Sequence, residues 1–179
     1  MNKILIKNGI IVTLEPDLGD FQGGDILIED DRIIAIESEI NSDEATVIDA
    51  SNMIVMPGLI QCHFHTWQTA LRAFGGNWTS PEYMQNLHRN IATKFAPEDI
   101  YYGTLLGALD QINSGTTTLF DWCHNNPTPA HTDAALDALE ESGIRAVFAH
   151  GTPKPEQKPG AKHFTEIPHD PAEVKRLRT

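Results

Sequence analysis

Apolar residues first recur along this chain in short alternating runs. Ile4, Ile6, Ile10 and Val12 fall on alternating positions, the period of a half-buried strand. Gly23-Gly24-Asp25 reads as a turn before Ile26-Leu27-Ile28. The polar stretch Glu29-Asp30-Asp31-Arg32 then separates that run from Ile33-Ile34-Ala35-Ile36, which predicts a hairpin. Val47-Ile48-Asp49-Ala50 adds another short strand. Residues 1–55 therefore predict a small β unit, with too few strands to bury every apolar face.

From Met56 onward the pattern changes to strand alternating with helix. The run over residues 53–62, bounded by turn residues, predicts a buried strand that ends at His63-Phe64-His65. Loop markers Gly75-Gly76-Asn77 precede a helix expected over residues 82–91. Pro97-Glu98-Asp99 opens a longer helix, with Ile100, Tyr101, Leu105, Ala108, Leu109 and Ile112 on one face and Gly115 at its end. Residues 116–122 are β-branched and aromatic, hence a second strand. Thr128-Pro129 opens a helix that packs through Ala130, Ala134, Ala138 and Leu139 and closes at Gly143. Residues 144–150 form a third strand. A loop containing Pro153, Pro155, Pro159 and Pro168 follows. Asp170-Pro171-Ala172-Glu173 then starts another helix, and the sequence stops at Thr179 about two turns in, with no C-cap. A stop inside a newly opened helix reads as truncation; the other reading is a short amphipathic tail.

Strands alternating with helices imply a parallel sheet, whose chemistry gathers at the C-terminal strand ends. Three such ends are available: His63 and His65, the segment Trp122-Cys123-His124, and His150. Residues i and i+2 of a strand share a face, so His63 and His65 leave their strand side by side. That suits two nitrogens on one divalent metal, which would activate water for hydrolysis. A bare His-x-His also describes two solvated histidines. His124 and His150 read either as further site residues or as hydrogen-bonded loop histidines. His88, His131, His163 and His169 are expected in solvent. By strand parity Cys62 points away from the pair and is expected in the core, while Cys123 has no partner that would make it a nucleophile.

The pattern Pro57-Gly58-Leu59-Ile60-Gln61-Cys62-His63-Phe64-His65-Thr66 resembles the first barrel strand of the amidohydrolase superfamily. Its continuation, Trp67-Gln68-Thr69-Ala70-Leu71-Arg72, resembles the branch containing cytosine and guanine deaminases, methylthioadenosine/S-adenosylhomocysteine deaminases and triazine hydrolases. The resemblance runs from Lys3 to about His150. It implies an α/β fold: the N-terminal portion of a metal-dependent (β/α)8 barrel (residues 56–179), preceded by part of a small β-sandwich domain (residues 1–55). It implies that His63 and His65 are metal ligands, with zinc the leading candidate and iron the second. The remaining ligands and the catalytic acid/base would lie beyond Thr179, since such barrels need ~250 residues and this chain has 179. Trp67, Gln68 and His124 are the expected substrate contacts. For Trp67 the alternative is packing beneath the loop; Arg72 reads either as a contact to an anionic substrate group or as an ion pair with an acidic neighbour. Trp78 is read either as a pocket wall or as a contact within a homo-oligomer. The implied reaction is hydrolytic deamination, or displacement of the dechlorination type, on a small nitrogen heterocycle. The alternative is a catalytically incompetent piece that needs a complementary C-terminal part of the barrel.

Composition narrows the field. Hydrophobic residues make up 40% of the chain, enough for a globular core. A net charge of −12 argues against nucleic acid or an anionic membrane as partner. No apolar run reaches transmembrane length, and residues 1–6 lack the long apolar region of a signal peptide. Two cysteines make no disulfide framework, so a reducing, cytoplasmic setting is expected.

Overall fold

The computed structural model describes residues 2–154 and 158–178. Pro155 and Thr179, named above, lie outside the described residues. The chain divides into two compact units, Met1–Pro57 and Gly58–Thr179.

In the first unit, β1 (Lys3–Ile11) pairs antiparallel with β2 (Phe21–Glu29), which pairs antiparallel with β3 (Arg32–Glu37). The other edge of β1 is shared by β4 (Thr46–Asp49) and β5 (Ile54–Val55), both parallel to it. The hairpin forms as expected, with Asp30-Asp31 between its strands. Gly23-Gly24-Asp25, expected as a turn, lies inside β2 instead. Gly24 pairs with Gly9, and a Cβ there would sit 3.0 Å from Ile11 Cδ1 and 3.1 Å from the Glu37 carbonyl oxygen, so the glycine permits close strand approach. The buried Asp25 carboxylate accepts the Asn8 and Ile40 backbone N–H groups at 2.9 and 2.8 Å, fastening the segment after β3 to the sheet. One sheet face carries an apolar groove of about 230 Å³ lined by Ile6, Ile26, Ile28, Ile33, Ile36 and Val55, as too few strands predict.

The apolar run over residues 53–62, expected as one buried strand, is two. Ile54–Val55 belongs to the first sheet, and Pro57-Gly58 breaks the run before β6 (Leu59–Phe64). Proline interrupts the backbone donor series that a continuous strand needs. In the second unit β6, β7 (Thr116–Cys123) and β8 (Arg145–His150) form a parallel sheet in that order. Leu59 and Ile60 stay exposed, because β6 is an edge strand. Cys62 is exposed for the same reason, contrary to the core position expected.

A 3₁₀ stretch, Thr66–Leu71, directly follows β6. The helix expected at residues 82–91 is a short α1 (Ser80–Tyr83) running into a π turn, Met84–His88, that buries Leu87 and His88. Then come α2 (Pro97–Asn113), α3 (Pro129–Ser142) and α4 (Pro171–Arg176). Gly115 and Gly143 stand in the left-handed region just past α2 and α3, as expected. The buried face of α2 differs from the expected one. It is Ile100, Gly103, Thr104, Gly107 and Ala108, while Leu109 and Ile112 are exposed. A Cβ on Gly103 would lie 2.5 Å from the Trp67 carbonyl oxygen, and one on Gly107 2.5 Å from Thr69 Oγ1. Small residues on this stripe let the segment after β6 lie directly on the helix. The α3 face is likewise rotated, to His131, Thr132, Ala135, Ala138 and Leu139. His131, expected in solvent, is buried: its Nε2–H donates to the Phe95 carbonyl at 3.0 Å, and Nδ1 accepts from the Thr128 hydroxyl at 2.7 Å.

Candidate metal centre

Strand alternation brings His63 and His65 together at the C-terminal end of β6. Their ring centroids are 5.1 Å apart, and each lies against Trp122 of β7, at 5.3 and 5.4 Å. His65 Nδ1 is 2.8 Å from the Trp122 carbonyl oxygen. A carbonyl only accepts, so Nδ1 carries the proton and Nε2 of the neutral ring keeps its lone pair. This backbone bond is the kind that orients a metal-ligating histidine and fixes its tautomer. Burial, the leading cause, holds the His65 imidazolium below its ordinary range.

Behind the pair, β7 supplies a second anchor. Asp121 is fully buried, and its Oδ1 accepts both the Thr66 N–H at 3.1 Å and the Thr66 hydroxyl at 2.8 Å. Thr66 is the residue after His65, so Asp121 and the Trp122 carbonyl together fix the turn by which the chain leaves the site. Asp121 Oδ2 has no hydrogen-bond partner. Burial pushes this carboxyl up to about 6, against the lowering effect of the two Thr66 bonds.

His124 is 2% exposed and lies under His65, with ring centroids 4.2 Å apart. His88 and Trp67 flank it at 4.7 and 5.6 Å. Burial first, and then the positive charge of Lys154, pushes His124 down to about 2 and His88 to about 4. Both rings are therefore neutral near pH 7, and His88 is not the solvated residue expected. His124 Nδ1 makes no hydrogen bond. Trp67 is 0% exposed and packs with Leu87, Ala92 and Ile100. The structure thus places Trp67 and His124 beneath the site's floor, whereas Gln68 reaches the surface of the site.

An open cavity of about 390 Å³ is lined by His63, His65, Gln68, Arg72, Asp110 and Gln111, among others. Gln68 Nε2 donates to the Tyr83 hydroxyl at 2.7 Å. Arg72 lies 3.7 Å from Asp110, the ion pair foreseen as its alternative fate. His150 sits at the end of β8, with its Nδ1 3.3 Å from that of His169 and apart from the histidine pair. His163 and His169 are exposed, as expected. Cys123 is buried and its thiol is pushed up to about 12 by burial, which leaves it inert. Trp78 packs against the cluster around Trp67 and against Phe74. Among the described residues, no group of three or more His, Cys, Asp or Glu side chains is arranged to hold a metal. The histidine pair is therefore two donors of a set that needs about four.

A model of the Amidohydrolase family matches residues 54–177. The chain belongs to the amidohydrolase family. Similar proteins include a 5'-deoxyadenosine deaminase of Methanosarcina barkeri, 34% identical over 84% of this chain and 34% of its own length. A 5-methylthioadenosine/S-adenosylhomocysteine deaminase of Thermococcus kodakarensis is 37% identical over 83% of this chain and 33% of its own. Among solved structures, a variant of the atrazine chlorohydrolase of Arthrobacter aurescens TC1, complexed with zinc and atraton, superposes with a TM-score of 0.74. It is 28% identical and covers 82% of this chain and 35% of that one. This amidohydrolase chain spans about a third of the length of the curated relatives it matches. No helix among its described residues is long and apolar enough to cross a membrane.

Three site residues take their place only in the structure. Asp121 stood in plain view as a carboxylate within a β-branched, aromatic strand, where a charge is costly unless it has a task. Tyr83, the partner of Gln68, and Lys154, whose charge reaches the buried histidines, carried no local signal.

Proposed function

We propose that this chain is the metal-holding part of a hydrolase acting on a nitrogen heterocycle, by deamination or by displacement of a comparable leaving group. The observation that carries this reading is the His63/His65 pair at a parallel strand end, with His65 Nδ1–H committed to the Trp122 carbonyl. The donor chemistry fits a divalent first-row ion such as zinc, with iron as the second choice. When bound, such an ion supplies the Lewis acidity that makes water nucleophilic near neutral pH. His63 and His65 would hold it through their free ring nitrogens. Asp121, through Thr66, keeps the ligand strand from shifting. Gln68, set by Tyr83, offers a carboxamide to a ring nitrogen of the substrate.

Residues 56–179 are read as the first strands and helices of a (β/α)8 barrel, and residues 1–55 as part of a β-sandwich. Support comes from the second sheet. Its helix-facing side is filled by Leu119, Asp121 and Cys123, while Phe120, Trp122 and Val147 remain open on the other. Parallel sheets are covered on both faces. The histidine pair lies on the open face, beside Trp122. Closing that face with further strands would supply the remaining donors and the acid/base groups. Residues 1–179 without those groups would be inactive.

The test is turnover of a panel of aminopurines, aminopyrimidines and chlorotriazines by the native polypeptide that carries this sequence, with its mass verified. Chelator-sensitive release of amine or chloride supports the reading. Chelator-resistant turnover would overturn it, as would no turnover by a metal-loaded polypeptide of barrel length.

A further inference from the structure

Two histidines outside the candidate metal centre meet at the C-terminal end of β8. His150 closes that strand, and His169 stands directly before Asp170, the residue that caps α4. Their Nδ1 atoms are 3.3 Å apart. An N–H···N bond of that length is a long one. The same separation is the edge of a metal tetrahedron: two imidazole nitrogens, each about 2.0–2.1 Å from one ion, lie about 3.3 Å from each other. The ring centroids are 5.3 Å apart and the planes are inclined at 69°. That steep inclination belongs to two rings converging on one point rather than to a stack.

The surroundings suit the pair to an ion. His169 Nε2 is 3.5 Å from the Thr152 hydroxyl. A proton on Nε2, turned to this hydroxyl, leaves Nδ1 with the lone pair, as outer hydrogen bonds do for ligating histidines. Glu173 lies in the first turn of α4, four residues after His169. Its carboxylate favours positive charge at His150, and Arg176 opposes this more weakly. Lys154 shares the cavity of about 400 Å³ beside the pair, with its ammonium 5.8 Å from the Trp122 centroid and 5.9 Å from that of Phe164. Those two ring faces attract it. His150 is half-buried and His169 exposed, so an ion reaches them from solvent. Among the described residues no third His, Cys, Asp or Glu completes a ligand set. Water would fill the remaining positions, and the ion would stay exchangeable.

We propose that His150 and His169 form a second metal site, which takes a divalent first-row ion with affinity for imidazole: zinc, nickel or copper(II). The ion joins the end of β8 to the start of α4. Arg176 already ties the other end of α4 to Asp133 of α3 at 2.6 Å. Bound metal therefore fastens α4 at both ends. The proposal does not rest on the hydrolase reading, since neither histidine belongs to the His63/His65 pair.

The experiment titrates zinc, by calorimetry, into the native polypeptide that has been loaded with zinc and then dialysed. One further equivalent should bind, and a second dialysis should remove it. His150→Ala and His169→Ala should each abolish it, whereas the His63→Ala, His65→Ala double variant should keep it. His169 is exposed, so its replacement should leave the melting temperature of the metal-free protein unchanged. In the double variant, one equivalent of added copper(II) should show an electron paramagnetic resonance spectrum with hyperfine structure from two imidazole nitrogens. No further equivalent of zinc, an equivalent that survives both single substitutions, or a copper spectrum without two imidazoles would overturn the proposal. Turnover enters none of these readouts, so failure of the hydrolase reading would leave the second site standing.

Discussion

The two faces of one strand carry different work in this molecule. On β7, Leu119, Asp121 and Cys123 point toward the helices and are each 0% exposed, whereas Phe120 and Trp122, between them, are 38% and 40% exposed. The covered face is scaffold: an apolar core with Ala108, Leu139 and Ile144, and one buried carboxylate that ties down the segment after β6. The open face carries the proposed chemistry: the indole that contacts His63, His65 and Lys154. The comparison teaches that a functional surface can look like an unfinished core. Its exposed aromatic side chains mark the place where more chain, or a ligand, belongs.

The largest expected effect tests the asymmetry itself. Leu119→Ala should cost about 2–5 kcal/mol of stability in the 179-residue chain, the usual range for emptying a packed leucine site. Phe120→Ala in the same chain should change stability by only about 0.5 kcal/mol. Denaturant unfolding of the two variants checks this. In a longer polypeptide that covers the open face, the Phe120 cost should climb toward that of Leu119. Equal costs in the short chain would show that its open face is already covered.

Acid should act on the covered side. His88 titrates at about 4 in the fold against an ordinary 6.5, because burial disfavours its cation. Between those values the unfolded chain binds the extra proton, so stability falls as pH falls from about 6.5 to 4 and levels off below. The shift corresponds to a loss of about 3 kcal/mol at most. His124 acts in the same direction. Asp121, raised to about 6, works oppositely, since its folded form gains a proton before the unfolded form does. The two imidazoles should outweigh it. Thermal midpoints measured from pH 7 to pH 4 should drop, and the drop should shrink in His88→Gln. A midpoint that rises on acidification would mean that Asp121 dominates.

A smaller effect is expected at the border between the faces. Gln68→Ala should change relative activity across pyrimidines, purines and triazines by about 1–3 kcal/mol of transition-state stabilisation, at unchanged metal content. Trp67, buried beneath, should behave differently: its truncation should lower stability and affect all substrates alike. A uniform loss in Gln68→Ala, matched by a lower melting temperature, would make Gln68 part of the scaffold through Tyr83.

Legibility in the sequence followed local rules. His63 and His65 could be paired from spacing alone, since strand parity is enough to put them on one face. Helix-start signals at Pro97, Thr128-Pro129 and Asp170, and the glycines after the two long helices, mark where helices begin and end. What could not be read was burial determined by neighbours distant in sequence. Trp67 and His124 look like pocket residues until His88, Leu87 and Phe95 close around them. The large apolar residues of α2 point to the wrong face, since Leu109 and Ile112 stay exposed. Gly103 and Gly107, one turn apart, were the available sign that another backbone crosses closely there. The break at Pro57-Gly58 was likewise present in the letters, but an unbroken apolar run concealed a change of sheet.

The proposed function stands on His63 and His65 holding a metal at the open face. Metal analysis of the native polypeptide, as wild type and as a His63→Ala, His65→Ala double variant, tests it most directly. About one equivalent of divalent ion is expected in the wild type and none in the variant, with the covered core and the melting temperature of the metal-free protein little changed. Full retention of the ion at the same site in the double variant would contradict it.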